Sequence, residues 1–185
     1  RISHVSLLPN GQPPVAPSPI TANSQTFIAT GFVDVSEPRA LEVDEIARVV
    51  ADYRKAAENA KAAGFDGVEI HAANGYLLDQ FMRDSTNKRD DTYGGTAKNR
   101  TRFLAEVFDA VTAVYPSKSV GVRFSPFSGF NDITDSDPVS TFSVAMARAN
   151  DANLGYVHLV EGEMGGARSF PPNAIETLRA NFSGA

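Results

Sequence analysis

Helical patterns and short apolar stretches alternate from residue 43 to the end of the chain. Three stretches, FDGVEIH, SVGVRFSP and LGYVHLVEG, have the length and composition of buried strands. A helical pattern precedes each of them, and another follows the last. This alternation predicts parallel strands joined by right-handed helical crossovers, with helices covering the sheet. We therefore expect an α/β fold.

The helices are predicted from apolar spacing and from signals at their ends. VDEIARVVADYRKAAENAKAAGF has one apolar face, a cap at Asp44 or a neighbour, and Gly64 as its end. TAKNRTRFLAEVFDAVTAVY predicts one continuous second helix, capped by Thr96 and stopped by Pro116. A third helix is expected from about Pro138, and PPNAIETLRANF predicts a short fourth helix, each with proline at its start.

The type of parallel sheet can be narrowed further. No G-x-G-x-x-G follows the first strand, which disfavours a dinucleotide-binding doubly wound sheet. A (β/α)8 TIM barrel fits better, but such a barrel usually needs about 250 residues. The chain has 185 residues and three full strands. We therefore expect residues 1–185 to form an incomplete single (β/α)8 domain, and the start RISHVS and the end NFSGA favour a piece of a longer protein.

The first 42 residues are expected to hold a strand end and a Pro-rich excursion, and residues 43–185 the helix/strand repeats. Six of the eleven prolines lie in residues 8–39, which excludes a long helix there. QTFIATGFVDV can supply short strands within this excursion. A polar loop rich in Gly, Asn and Asp is expected from the end of the first repeat strand to about residue 95.

Composition disfavours several classes of function. The net charge is -5 and no Lys/Arg run is present, so a nucleic-acid surface is not expected. The absence of cysteine excludes disulfides, thiolate nucleophiles and Cys-based metal sites, and it is compatible with the cytoplasm, where we expect the protein. No apolar run approaches the roughly 20 residues that span a bilayer, so no membrane segment is expected.

Polar side chains follow the predicted strands at their carboxyl ends, where (β/α)8 barrels carry their chemistry. The rule selects residues 71–76, HAANGY, after the first strand, Arg123 on the second, and His158 and Glu161 on the third. If Val68 and Ile70 face the helices, Glu69 and His71 face the barrel interior. Burying polar side chains in that position is costly unless they are hydrogen-bonded or have a role in binding or catalysis.

His71 and Asn74 can donate toward one oxygen, which would polarise a carbonyl or nitro group. Tyr76 is a candidate general acid, because a phenol is protonated at neutral pH. The alternative is a capped loop with a hydrogen-bonded histidine. Arg123 can form either a buried ion pair, for example with Glu69 or Glu161, or a contact to an anion or cofactor, and spacing alone does not separate the two.

Other combinations of polar residues are less favoured as catalytic or metal sites. RDSTNKRDDTYGG is typical of a solvated loop, and His4 and His158 are expected to be structural. Glu69 with Asp79 or Glu161 could imitate a glycosidase pair. A metal on His71 and Glu69 has no third ligand at a recognisable spacing, and an aldolase would need a strand-end lysine that is absent.

Several motifs together resemble the Old Yellow Enzyme family of FMN-dependent ene-reductases. They are AGFDGVEIHAANGYLLDQFMRDSTNKRDDTYGG, NRTRFLAEV and VGVRFSP, with RISH, LPNGQPPVAPS and EPRAL before them. The resemblance covers nearly all of the chain. It implies a (β/α)8 barrel with non-covalent FMN that NAD(P)H reduces, and an activated alkene that takes a hydride from the flavin and a proton from the protein.

By this resemblance, His71 and Asn74 hold the carbonyl or nitro oxygen of the substrate, as the His/Asn version of a pair that also occurs as His/His. Tyr76 matches the proton donor. Arg123 matches an arginine beside the pyrimidine edge of the flavin, where its charge stabilises negative charge on the ring. The acidic candidates Glu69, Asp79 and Glu161 then become structural.

The resemblance also implies that the chain holds roughly the fourth to sixth β/α units. Further flavin contacts and the phosphate site of FMN belong to strands outside it. We therefore expect a complementing polypeptide to supply the rest of the barrel. The alternative is a non-catalytic half-barrel fragment or assembly module that is inactive without such a chain.

Overall fold

The Pro-rich N-terminal segment folds into turns and short strands. The computed structural model describes residues 1–163, 166 and 168–185. Single 3-10 turns span Val5–Leu7 and Pro9–Gly11. The strands are β1 (Val15–Ala16), β2 (Gln25–Ile28), β3 (Gly31–Asp34) and β4 (Arg39–Ala40), with β2 and β3 forming an antiparallel hairpin and β1 pairing with β4 in parallel. The short strands predicted in QTFIATGFVDV are confirmed.

Helices and strands alternate in the rest of the chain, as predicted. In order they are α1 (Val43–Ala62), β5 (Val68–Ala72), α2 (Leu77–Met82), α3 (Ala97–Arg100), α4 (Arg102–Thr112), β6 (Val120–Phe124), α5 (Pro138–Asp151), β7 (Tyr156–Leu159) and α6 (Ala174–Arg179), with a 3-10 turn at Ser117–Ser119. A capping box between Glu42 and Glu45 starts α1, so a neighbour of Asp44 is the cap. Gly64, with a φ of 89°, follows its end.

Three details of the predicted elements were wrong. The second helix is not continuous, because Thr101 (φ −91°, ψ 2°) separates α3 from α4 and its hydroxyl donates to Ala97 O at 2.9 Å. The loop predicted to residue 95 contains α2. The last helix begins at Ala174 and not at the prolines, because the preceding Asn173 has left-handed dihedrals (φ 60°).

β5, β6 and β7 form a parallel sheet in that order. The residues that alternate toward the helices are buried: Ile70, Ala72, Val120, Val122 and Phe124. Glu69, His71, Arg123 and His158 lie on the opposite face. The register places His71 beside Arg123, and Arg123 beside His158. The predicted alternation, with Glu69 and His71 away from the helices, is therefore confirmed.

The helices are joined to the sheet by an aromatic core. Phe103 of α4 is fully buried, and its ring lies 4.8 Å from that of Phe81 in α2 and 6.4 Å from that of Tyr53 in α1. Edge-to-face pairs of this kind add to the free energy gained from burial. The core thus fixes α2, and the turn that precedes it, against the long helices. Across residues 1–163, 166 and 168–185, no helix combines the length and apolarity that crossing a membrane requires.

We predict that Phe103→Ala lowers the free energy of unfolding by about 3–5 kcal/mol, because it leaves a cavity at the centre of this core. Phe27, whose side chain is 65% exposed on the β2–β3 hairpin, provides the matched control. Phe27→Ala should cost less than about 1 kcal/mol. Urea unfolding followed by circular dichroism measures both, and equal losses for the two variants would contradict this description of the core.

Candidate active site

The turn after β5 brings three of the predicted site residues together. Asn74 and Gly75 both have left-handed backbone dihedrals, with φ of 57° and 71°, and they redirect the chain from β5 into α2. Any Cβ at Gly75 would lie 2.7 Å from Phe130 O and 2.8 Å from Asn131 Cβ. Glycine is therefore required here both for its dihedrals and for the close approach of the loop after β6.

Hydrogen bonds from three directions hold this turn. Ser125 Oγ accepts from Asn74 N at 2.7 Å, and Asp79 Oδ2 accepts from Gly75 N at 3.0 Å. Asn131 Nδ2 donates to Asn74 O at 2.8 Å. The main chain of the turn is thus fixed by residues of α2 and of the segment after β6.

Asp79 itself is fully buried and is held by Arg83, whose Nε lies 2.8 Å from Asp79 Oδ1. Arg83 also donates to Ser125 O at 2.5 Å and to Pro126 O at 3.0 Å. Asp79 therefore has a structural role, as the resemblance implied. The sequence reasoning missed Ser125, Arg83 and Asn131. The spacing of four between Asp79 and Arg83 was the one available signal, since it places them on the same side of a helix.

His71 and Tyr76 lie beside each other at the ends of this turn. Their ring centroids are 5.5 Å apart with an interplanar angle of 55°. Both residues are exposed, Tyr76 by 44%, so their polar atoms are accessible to a ligand. Asn74, which lies between these two residues in the sequence, is buried. Its Oδ1 has no hydrogen-bond partner among the described residues. Oδ1 accepts hydrogen bonds and can bind a donor of a ligand, whereas a ligand oxygen would use the Nδ2 donor of the same amide.

Arg123 lies on β6 in register with His71. The ion pair considered for it does not form within the described residues. Glu69 instead contacts His158, with Oε2 3.3 Å from Nδ1, and Glu161 contacts Arg168. Arg123 Nε is buried and lacks an acceptor in the same set of residues. A buried guanidinium donor without an acceptor favours a ligand contact.

Partial desolvation of the ring, and then the positive charge of Arg123, lower the pKa of His71 below its ordinary value. Asp79 and Glu69 oppose this shift without cancelling it. His71 is therefore neutral at pH 7, with one ring nitrogen as a donor and the other as an acceptor.

The remaining polar candidates have other partners. His4 Nδ1 accepts from Ser6 N at 3.2 Å and caps the first 3-10 turn, in line with the structural role expected for it. Each carboxylate considered for a glycosidase pair has a cationic or histidine partner, since Glu69 contacts His158, Asp79 contacts Arg83 and Glu161 contacts Arg168. No group of three or more metal-ligating side chains occurs in the residues that the structure describes.

The NADH:flavin oxidoreductase / NADH oxidase family matches residues 8–175 of the chain. The chain therefore belongs to this family. Putative 12-oxophytodienoate reductase 5 of Oryza sativa subsp. japonica is 48% identical over 165 residues, which are 89% of this chain and 43% of that protein. A putative 12-oxophytodienoate reductase-like protein 1 of Arabidopsis thaliana is 42% identical over 89% of this chain and 49% of its own length.

Solved structures of similar fold also match the chain over about half of their own length. Morphinone reductase superposes with a TM-score of 0.92 at 41% identity, over 98% of this chain and 50% of that chain. The old yellow enzyme homologue from Zymomonas mobilis superposes with a TM-score of 0.89 at 37% identity, over 100% of this chain and 53% of its own. The chain thus spans about half the length of the relatives it matches, and the predicted Old Yellow Enzyme resemblance is confirmed.

The predicted cofactors are also confirmed for the family, which uses FMN with a nicotinamide nucleotide as reductant, and one morphinone reductase structure is a complex with tetrahydroNAD. The residues of this chain fit such a cofactor, because Arg123 offers a buried donor that lacks an acceptor. A flavin edge rich in oxygen and nitrogen acceptors matches that donor.

We predict that the Arg123→Gln variant raises the pKa of His71, because one of the two effects that lower it is the charge of Arg123. Desolvation still lowers the pKa in this variant, and Asp79 and Glu69 still raise it. NMR titration of the imidazole measures the shift, with the resonance assigned from a His71→Gln variant. Arg48→Gln, which removes an exposed charge from α1, should leave it unchanged. A pKa that does not move in Arg123→Gln would contradict the proximity of the two groups.

Proposed function

We propose that this chain supplies the substrate side of the active site of an FMN-dependent reductase of activated C=C bonds, in α,β-unsaturated carbonyls and nitro compounds. One observation carries the proposal: His71, Asn74 and Tyr76 meet at the end of β5, beside an Arg123 whose Nε lacks an acceptor among the described residues. The substrate is a small molecule, and neither nucleic acid nor membrane takes part.

Within the whole protein, residues 1–185 form roughly the fourth to sixth β/α units of a (β/α)8 barrel, with residues 1–42 as the strand end and excursion. The parallel order of β5, β6 and β7 supports this assignment. The polar face of that sheet, with Glu69, His71, Arg123 and His158, corresponds to the barrel interior. A complementing polypeptide supplies the remaining strands, and the protein is cytoplasmic.

The roles of the side chains follow from their chemistry. A bound FMN, contacted by Arg123, would supply the hydride chemistry that links NAD(P)H to the β-carbon of the alkene. Neutral His71 and the amide of Asn74 donate to the carbonyl or nitro oxygen, which orients the substrate and stabilises charge that develops on that oxygen. Tyr76 donates a proton to the α-carbon. Arg123 donates to the cofactor through Nε.

A second candidate is a non-catalytic half-barrel fragment or assembly module, since the chain spans about half of each relative. The two are separated by adding FMN, NADPH and 2-cyclohexenone to the chain, with and without a complementing polypeptide. Turnover that appears only with the complement supports an incomplete active site. No turnover in either sample, although FMN is bound, supports a non-catalytic module.

We predict that Tyr76→Phe lowers the rate of 2-cyclohexenone reduction by roughly 10²–10⁴-fold, because the proton donor is lost. Flavin reduction by NADPH should persist, since no proton from Tyr76 enters that step. Stopped-flow absorbance of the flavin measures the two half-reactions separately. Tyr115→Phe, which removes a phenol that donates to Phe65 O ahead of the amino end of β5, is the control and should retain both rates. Unchanged alkene reduction in Tyr76→Phe would refute the role.

We predict that residues 1–185 alone bind FMN weakly or not at all. Arg123 is the single flavin contact proposed on this chain, and the contacts to the FMN phosphate are assigned to the complementing strands. Titration of FMN followed by flavin fluorescence measures the affinity, and adding the complement should restore binding. A tight, yellow, stoichiometric complex of residues 1–185 by themselves would contradict the prediction.

A further inference from the structure

We propose that Ser125 and Asn131 are positioning residues that hold the main chain of Asn74 from both sides, and thereby aim its amide at the substrate oxygen. The proposal rests on the proposed substrate-binding role of Asn74. Neither residue belongs to the set of groups that touch the substrate or the flavin in the mechanism above.

Ser125 lies directly after β6 and is fully buried. Its hydroxyl accepts from Asn74 N at 2.7 Å and donates to Asp79 Oδ2 at 3.4 Å. A serine hydroxyl has one donor hydrogen, so its use on Asp79 turns a lone pair toward Asn74. The orientation of the hydroxyl is therefore set by a buried carboxylate.

Arg83 binds the main-chain carbonyl of Ser125. The guanidinium donates to Ser125 O at 2.5 Å and, through Nε, to Asp79 Oδ1 at 2.8 Å. The carbonyl and the hydroxyl of Ser125 are thus bound to the two members of one buried ion pair. This arrangement leaves Ser125 little freedom to move relative to α2.

Asn131 binds the main-chain carbonyl of Asn74, whereas Ser125 binds its main-chain N–H. Its Nδ2 donates to Asn74 O at 2.8 Å, and its Oδ1 accepts from Ser24 Oγ at 3.4 Å. Asn131 has a left-handed φ of 64°, which places it on a tight bend of the loop after β6. Both main-chain polar groups of Asn74 are therefore bound by side chains that follow β6.

The turn depends on these two contacts because its conformation is not favourable by itself. A left-handed residue other than glycine costs about 1 kcal/mol, and Asn74 adopts φ 57° outside regular secondary structure. Loss of either contact leaves a buried polar group without its partner and frees the turn to relax. A displacement of about 1 Å is enough to lower the rate of an oriented reaction.

A matched control distinguishes positioning from general stabilisation. Ser128 is also buried, at 2% exposure, and lies three residues further along the same segment. Its hydroxyl donates to Glu163 Oε2 at 3.3 Å and accepts from Phe130 N at 3.2 Å. Ser128→Ala therefore removes a buried hydroxyl of the same loop without a bond to Asn74.

The test uses the FMN-loaded holoenzyme that contains this chain. The dissociation constant of cyclohexanone, which has the carbonyl but no C=C bond, is measured from the change in flavin absorbance, and KM and kcat are measured with 2-cyclohexenone. We expect Ser125→Ala to raise the dissociation constant and KM about tenfold, the effect of one lost buried hydrogen bond. Ser128→Ala should change neither by more than about twofold. Equal effects of the two variants would overturn the proposal.

A double-mutant cycle tests whether Ser125 acts through Asn74. Asn74→Gly removes the amide and still accepts the left-handed conformation. In that background Ser125→Ala should have almost no further effect on cyclohexanone binding, because the group that it positions is absent. A full additional tenfold loss would overturn the positioning role while leaving the role of Asn74 intact. If Asn74→Gly alone leaves the dissociation constant unchanged, the proposed role of Asn74 fails, and this proposal with it.

Asn131→Asp keeps the test decisive if Ser125→Ala does not fold. Aspartate preserves the size of the side chain and tolerates a positive φ, but it replaces the donor to Asn74 O with an acceptor. We expect weaker cyclohexanone binding that is again lost in the Asn74→Gly background. Unchanged binding in a folded Asn131→Asp variant would overturn the proposal.

Discussion

The buried ion pair between Asp79 and Arg83 is the interaction on which the carboxyl end of the sheet depends. Both side chains are almost completely excluded from solvent, and the guanidinium also lies 4.7 Å from the centroid of the Phe142 ring. Desolvation of two charges costs several kcal/mol for each ion, so the pair is tolerable only with its full set of hydrogen bonds. Those bonds go to the turn after β5 and to the segment after β6. The same ion pair therefore joins the two loops that carry the site.

β6 has a central place in this arrangement because it carries the proposed flavin contact and leads directly into Ser125, which supports the proposed substrate contact. Arg123 faces the proposed cofactor side, and Ser125, two residues on, binds the turn that carries Asn74. The covalent geometry of one strand thus fixes the separation between the flavin contact and the support of the substrate contact. A strand paired on both sides, with β5 and β7, is a rigid base for such groups.

Local patterns in the sequence were enough to predict the strands, the positions of the long helices and four candidate site residues. His71, Asn74, Tyr76 and Arg123 follow from strand ends alone, because parallel strands place their carboxyl ends together. The short helix α2 was missed since six residues are too few to display a helical period against a polar background. The bond between Ser125 and Asn74 joins residues 51 positions apart, and no local pattern encodes such a contact. The roles proposed for His71, Asn74 and Tyr76 followed from their chemistry at a strand end and agreed with the family resemblance, which decided between the two alternatives for Arg123.

The left-handed conformation of Asn74 also limits which residues evolution can place there. At a φ of 57°, residues other than glycine are unfavourable, and Asn, Asp and His are the types that tolerate this φ best. Asp carries a negative charge that would repel a carbonyl oxygen, and Gly has no donor. Asn and His remain as neutral donors, and these are the two residues that the family resemblance gives for this member of the pair. The chemical alternatives at the proposed substrate contact are thus selected first by the backbone.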